Sequence, residues 1–160
     1  DRIRSLSTEL PILVENNVAG EILGAELECT WQPTPAWRLI AGYTTLQEDL
    51  RVKPGRTDLS EGQGEAFDPE HQLHLRSLLT LARGIELDLW LRHVDDVGNT
   101  SARGFGVVPA YTTLDARIGW FVTDTLEFSL VGQNLLDEQH PEFGSDEIER
   151  SFYGKSTWRF

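Results

Sequence analysis

From Ile85 to His93 the chain changes polarity at almost every residue. Ile85, Leu87, Leu89 and Leu91 fall on one side and Glu86, Asp88, Trp90 and Arg92 on the other. Only a strand, whose side chains point alternately to opposite faces, turns that order into one apolar and one polar surface. The same period of two recurs along the chain, and helical periodicity is hard to find. Gly24 to Gln32 sets Ala25, Leu27, Cys29 and Trp31 against Glu26, Glu28 and Thr30. Trp37 to Leu46 groups Leu39, Ala41 and Tyr43, although Ile40 and Leu46 blur the pattern. His71 to Leu81 gathers Leu73, Leu75, Leu79 and Leu81 against Arg76 and Thr80. Tyr111 to Trp120 sets Leu114, Ala116, Ile118 and Trp120 against Thr113, Asp115, Arg117 and Gly119. Leu126 to Gln133 sets Leu126, Phe128 and Leu130 against Glu127, Ser129 and Gln133. The last segment, Ser151 to Phe160, puts Phe152, Gly154, Ser156, Trp158 and Phe160 opposite Tyr153, Lys155, Thr157 and Arg159. Arg2 to Glu9 alternates weakly. The chain reads as all-β, with about eight antiparallel strands.

The connections alternate too. Pro33–Ala36, Ala82–Gly84 and Val122–Thr125 are short; Leu10–Gly20, Arg51–Glu70, Val94–Pro109 and Glu138–Glu149 are long and hold most of the Gly, Asp, Glu and Asn. Short turns on one side and long loops on the other describe an up-and-down transmembrane β-barrel, with periplasmic turns and extracellular loops. Trp31, Trp37, Trp120 and Trp158 lie beside short turns or at the last residues, while Tyr43 and Tyr111 lie toward the long loops. Amphipathic rings prefer membrane–water interfaces, so these six read as two aromatic girdles. A soluble domain seldom carries Trp158 and Phe160 along one face of its last strand, because such an edge invites aggregation. A soluble β-sandwich binding module would show similar alternation, but the loop asymmetry and the aromatic ends weigh against it.

Composition narrows the functions. The chain has 160 residues, a hydrophobic share of 39%, and 14 Lys+Arg against 26 Asp+Glu, a net charge of -12. That balance argues against nucleic acid as a partner. No apolar run approaches a membrane helix, but barrel strands carry only one apolar face and dilute their hydropathy with lumenal residues. The single Cys29 excludes an intrachain disulfide and reads as a lipid-facing or buried thiol. With no Met and no basic segment leading into an apolar one, the sequence is expected to have lost a signal peptide or to be a fragment.

Particular strings then stand out. Pro109-Ala110-Tyr111-Thr112-Thr113-Leu114-Asp115-Ala116-Arg117 leads into a strand. Gly132-Gln133-Asn134-Leu135-Leu136-Asp137 precedes a loop with His140-Pro141, and Glu149-Arg150 opens a last strand ending Trp158-Arg159-Phe160. Asn17, Gly20, Gly24, Glu26, Leu27 and Glu28 stand ahead of a Trp and a Pro turn. Together these resemble the carboxy-terminal barrel region of TonB-dependent outer-membrane receptors, over essentially the whole chain. Gly154 and Lys155 depart from the small or apolar residues often found there. The resemblance implies the last third of a roughly 22-stranded barrel, with the plug domain and the TonB-binding box outside this sequence. It implies a transporter of a scarce nutrient, such as a ferric siderophore, haem or cobalamin, in the outer membrane of a Gram-negative bacterium. Implied partners are outer-membrane lipid, the TonB complex through the amino-terminal region, the barrel-assembly machinery through Trp158 and Phe160, and a small-molecule or metal-chelate ligand at the outer loops. The alternative is a small eight-stranded structural or adhesive outer-membrane protein.

Nothing in the sequence points to an enzyme, a cofactor or a metal. His71 and His74 are three apart, which on a strand sends them to opposite faces. Glu86 and Asp88 share a face, as paired acid–base carboxylates would. Arg92, Asp115, Arg117 and Arg159 occupy the matching faces of neighbouring strands, so the set reads as a lumenal ladder of cross-strand charges. Gly62-Gln63-Gly64 and Gly104-Phe105-Gly106 lack the strand-to-helix setting that phosphate binding needs.

Overall fold

The computed structural model describes residues 3–6, 14–58, 68–81, 84–98, 108–143 and 146–160. Among the described residues ten strands follow in chain order: β1 Ile3–Leu6, β2 Val14–Thr34, β3 Trp37–Val52, β4 His71–Leu81, β5 Ile85–Val94, β6 Tyr111–Phe121, β7 Leu126–Gln133, β8 Gln139–Phe143, β9 Asp146–Glu149 and β10 Ser151–Trp158. Eight of them form one sheet in the order β1-β2-β3-β4-β5-β6-β7-β10, every pair antiparallel. β8 and β9 pair only with each other, as a small hairpin between β7 and β10. The sheet is a single layer whose order runs from β1 at one edge to β10 at the other.

Register carries the alternation of each strand into a continuous two-faced wall. Leu27, Tyr43, Leu73, His93 and Thr112 form one cross-strand row, and Cys29, Ala41, Leu75, Leu91 and Leu114 form the next. Leu79, Leu87, Ile118, Leu130 and Gly154 continue the same face. Paired residues of neighbouring strands point to the same side, so a one-residue slip anywhere would break these rows. The opposite face carries Arg76, Trp90 and Asp115 in one row and Asp88, Arg117 and Val131 in another. The apolar face is largely uncovered: Leu27, Ile118, Leu130 and Phe152 are all exposed. Such a surface is stable only against lipid or another apolar layer.

Three connections differ from the sequence expectation. Val14–Gly20, expected in a long link, belongs to β2, which pairs with β3 from Val18 to Thr34. Arg51 and Val52 likewise end β3 rather than begin a loop. The expected loop Glu138–Glu149 contains the β8–β9 hairpin. The two glycine pairs at 62–64 and 104–106 lie outside the described residues, as do residues 82 and 83 of one short turn.

Candidate functional site

Four of the six expected ladder residues come together on the polar face around Arg117. Asp88 is its cross-strand partner on β5, and Gly119, two residues on, lies opposite Glu86. The Arg117 guanidinium reaches over Gly119: a Cβ built there would stand 2.8 Å from Arg117 Cζ. From that position Arg117 Nη1 donates to Asp88 Oδ2 at 2.9 Å and to Glu86 Oε2 at 3.2 Å, while Nη2 donates to Glu127 of β7. The second oxygen of Glu127 accepts from Arg159 Nη2 at 3.3 Å. Three carboxylates and two guanidiniums thus tie β5, β6, β7 and the end of β10. Glu127 is the buried centre of the group, 7% exposed, and a carboxylate held there needs its charged donors. The sequence reading placed Glu127 on this face but left it out of the ladder. Each carboxylate is taken by a guanidinium, an arrangement that holds strands together and leaves no free acid–base pair.

The other two ladder residues stand apart from this cluster, a correction to the single ladder expected. Arg92 contacts Glu142 of β8 at 3.7 Å, and its guanidinium lies 4.8 Å from the Trp90 ring centre; Arg76 lies over the same ring at 5.3 Å. Asp115 accepts from the backbone N–H of Asn134 at 3.0 Å. Both are drawn away by the segment after β7, which folds against the polar face. Asn134 adopts a φ of 52°, a conformation Asn tolerates better than most residues. It turns the chain so that Leu135 N–H donates to Leu114 C=O at 2.9 Å. Asn134 Nδ2 then donates to Ile148 C=O at 3.0 Å, and Arg150 Nε donates to the carbonyls of Asn134 at 3.3 Å and Asp137 at 3.0 Å. The Asn-Leu-Leu-Asp string is therefore a turn that anchors the β8–β9 hairpin. His140 seats it further: its ring is 4.8 Å from that of Tyr111, and Nε2 is 3.1 Å from Glu142 Oε1. No spacing in the sequence announced His140 or Glu142; they act through the hairpin's fold.

The girdle residues divide. Trp31, Trp37, Tyr43, Trp120 and Trp158 all lie on the apolar face. Trp37 Nε1 donates to Ser77 Oγ at 3.0 Å, and Tyr43 Oη is 2.8 Å from His71 Nδ1, so their polar ends are served. Tyr111 is the exception. It pairs with Val94 and shares the face of Thr113, Asp115 and Arg117, packed against His140. The reason is the period of two itself: with Leu114 and Ala116 on the apolar side, Tyr111 must be on the other. Trp158 and Phe160 make an edge-to-face pair at 6.4 Å on the uncovered surface of β10 and its end. His71 and His74 do fall on opposite faces, paired with Thr45 and Gly42. Among the described residues, no three His, Cys, Asp or Glu side chains stand together as a metal-holding group.

This wall has known counterparts. The catecholate siderophore receptor Fiu of Escherichia coli (strain K12) is 30% identical over 122 residues, covering 73% of this chain and 16% of the relative. A solved structure of Fiu in its closed form superposes with a TM-score of 0.68 at 22% identity, covering 97% of this chain and 23% of that one. Over those 122 residues the chain is homologous to a siderophore receptor, and its fold is that of the barrels of TonB-dependent outer-membrane receptors. The same fold appears in the pyoverdine outer-membrane receptor FpvA of Pseudomonas aeruginosa PAO1, with a TM-score of 0.66 at 15% identity over 99% of this chain and 25% of that chain. The ferric yersiniabactin uptake receptor FyuA of Yersinia pestis matches at 0.61 and 19% over 90% of this chain and 23% of that chain. No family model matches the chain. It spans 16% of the length of the curated relatives it matches, and the names of those relatives are receptor names.

Proposed function

We propose that this chain is the carboxy-terminal wall of an active transporter that imports a ferric siderophore across the outer membrane of a Gram-negative bacterium. The observation that carries the reading is the match to the catecholate siderophore receptor Fiu across 73% of the chain, joined to a two-faced sheet with unpaired ends. In this reading the polar face, with Glu86, Asp88, Glu127, Arg117 and Arg159, lines the lumen, and the row from Leu27 to Thr112 faces lipid. The plug domain and the TonB-binding segment belong to the rest of the receptor, which also supplies the strands that close the wall beyond β1 and β10. Long connections at 53–70, 95–110 and 134–150 lie outside the cell and meet the ligand. Trp158 and Phe160 serve the barrel-assembly machinery, whose recognition by β-augmentation suits an exposed last strand with alternate apolar side chains. An eight-stranded structural or adhesive barrel is disfavoured because, among the described residues, β1 and β10 do not pair with each other.

The test is growth under iron limitation of a strain lacking the gene for the full-length protein. Loss of growth on a ferric siderophore, catecholates included, with growth restored by the intact gene, supports the proposal. Normal growth on every ferric siderophore, with a defect only on haem or cobalamin, replaces the substrate class. Accessibility tags at positions 57 and 96 test the topology: labelling on intact cells places these loops outside, and labelling only after the outer membrane is opened inverts the topology.

A further inference from the structure

The β8–β9 hairpin covers a row of polar side chains on the wall that the fold leaves unpaired. Among the described residues, four buried side-chain atoms find no hydrogen-bond partner: Arg92 Nε, Thr113 Oγ1, Asn134 Oδ1 and His140 Nδ1. All four belong to the hairpin's seat. Arg92 and Thr113 are direct cross-strand partners on β5 and β6, so both point to the polar face. His140 lies against Tyr111, two residues before Thr113, with the rings 4.8 Å apart. Glu142 closes the circle, 3.1 Å from His140 Nε2 and 3.7 Å from Arg92 Nη2. Asn134 stands on the other side of Thr113, its N–H on Asp115 Oδ1 at 3.0 Å. Thr113 is only 1% exposed, and Asn134 and His140 are buried with it. Buried polar groups are almost always paired in folded proteins, because an unpaired one loses water and gains nothing. Four in one seat call for a partner there.

The chemistry of the four atoms defines that partner. Arg92 Nε can only donate. His140 Nε2 faces a carboxylate and so carries the proton of the neutral ring, which leaves Nδ1 an acceptor. Asn134 Nδ2 donates to Ile148 C=O, so its Oδ1 is an acceptor. The Thr113 hydroxyl serves either way. An anion here would meet two acceptors, and a cation would meet the Arg92 guanidinium. A small neutral molecule that both donates and accepts satisfies all four. The atoms are closed off by the chain itself, so no side chain from elsewhere in the receptor reaches them while the hairpin is seated. We propose that two water molecules are built into this seat and join the hairpin to the wall. The first accepts from Arg92 Nε and donates to His140 Nδ1 and Thr113 Oγ1. The second accepts from the Thr113 hydroxyl and donates to Asn134 Oδ1 and the Asp115 carboxylate. Each then makes about three hydrogen bonds, the usual number for a buried water. Such bridges hold nearly as well as direct bonds, so the hairpin is fastened to β5 and β6 through water as well as through its own turn at Asn134.

Crystals of the full-length receptor should show density for water within hydrogen-bond distance of Arg92 Nε, Thr113 Oγ1 and His140 Nδ1. Amide hydrogen exchange of residues 139–149, in the same protein in detergent, gives a second readout. Thr113→Val removes the hydroxyl that both waters share. It should speed exchange of the hairpin amides roughly fivefold, the scale of one net hydrogen bond. Thr113→Ser keeps the hydroxyl and should stay at the wild-type rate. Thr112→Val, one residue away on the opposite face, should leave the hairpin unchanged. Wild-type density without water at the seat overturns the proposal, whether or not Thr113→Val folds. Slowed or unchanged exchange in Thr113→Val also overturns it, because removing a hydroxyl that truly lacks a partner would tighten the seat. Equal acceleration in Thr112→Val puts the effect in β6 as a whole and overturns the link to the hairpin. A peak that bromide replaces on soaking is an anion and overturns the water assignment.

Discussion

Removing Arg117 should show which of its three ion pairs holds the wall. The carboxylates it serves differ in exposure: Glu86 and Asp88 side chains are 34% and 33% exposed, Glu127 only 9%. Pairs with the first two are screened by solvent, and each is worth no more than about 1 kcal/mol. Glu127 has little water to fall back on, so its charged hydrogen bond to Arg117 is worth about 1.5–3 kcal/mol. Arg117→Met leaves Glu127 with Arg159 alone at 3.3 Å, a partner whose side chain is 56% exposed. The single substitution should therefore destabilise the barrel by about 3 kcal/mol, at the lower end for breaking a buried pair. The assay is urea unfolding of the full-length receptor in lipid vesicles, run as double-mutant cycles of Arg117→Met with Glu127→Gln and with Glu86→Gln. Coupling to Glu127 should exceed coupling to Glu86 by at least about 1 kcal/mol. Equal couplings would refute the reasoning, because burial would then not be what separates the pairs.

Three further outcomes follow from the same wall. Gly119→Ala should cost about 1–2 kcal/mol by pushing the guanidinium off its carboxylates, and almost nothing in the Arg117→Met background; equal costs in both would mean the glycine serves the backbone instead. Leu89→Arg, on the apolar face opposite Ala116, should destabilise the receptor in lipid by about 2–4 kcal/mol if it lies near the bilayer midplane, and a neutral effect in vesicles would remove Leu89 from the lipid-facing set. Deleting Phe160 should lower assembly in cells far more than it lowers the stability of refolded receptor, measured by heat-modifiable migration and urea unfolding; the reverse pattern would make Phe160 only an interfacial anchor.

What the sequence disclosed and what it hid divide along one physical line. Strands β4 to β7 were legible because each separates an apolar environment from a polar one, and that separation forces the period of two. The outer stretch of β2 and β3 was not. At 21 residues, β2 is roughly 70 Å long at 3.4 Å per residue. Even tilted by roughly 45° it outruns a hydrocarbon core of roughly 30 Å. In Val14–Gly20 the adjacent Asn17 and Val18 are both buried, so this stretch separates no apolar face from a polar one and pairs through its backbone with no need to alternate. The β8–β9 hairpin escaped for the same reason, since its strands of five and four residues sit in a loop and separate no two solvents.

The polar face adds a second distinction, between which side a residue takes and whom it meets there. Alternation assigns the side, and it did so for Glu86, Asp88, Arg92, Asp115, Arg117 and Glu127; it also shows that Tyr111 could never have joined an outward girdle. Partners depend on reach. Arg117 spans to Glu127 because Gly119 leaves room for its guanidinium to lean across. Arg92 and Asp115 are drawn off by Glu142 and Asn134, which arrive only when the chain turns back at Asn134. A long side chain beside a glycine has several carboxylates within its arc, and a positive φ after a strand can return the chain over its own wall. Both devices are local in sequence and distant in effect. Together they convert a row of alternating charges into two separate structures: a clamp near the short turns that joins four strands, and a seat near the long connections that holds a hairpin against the wall.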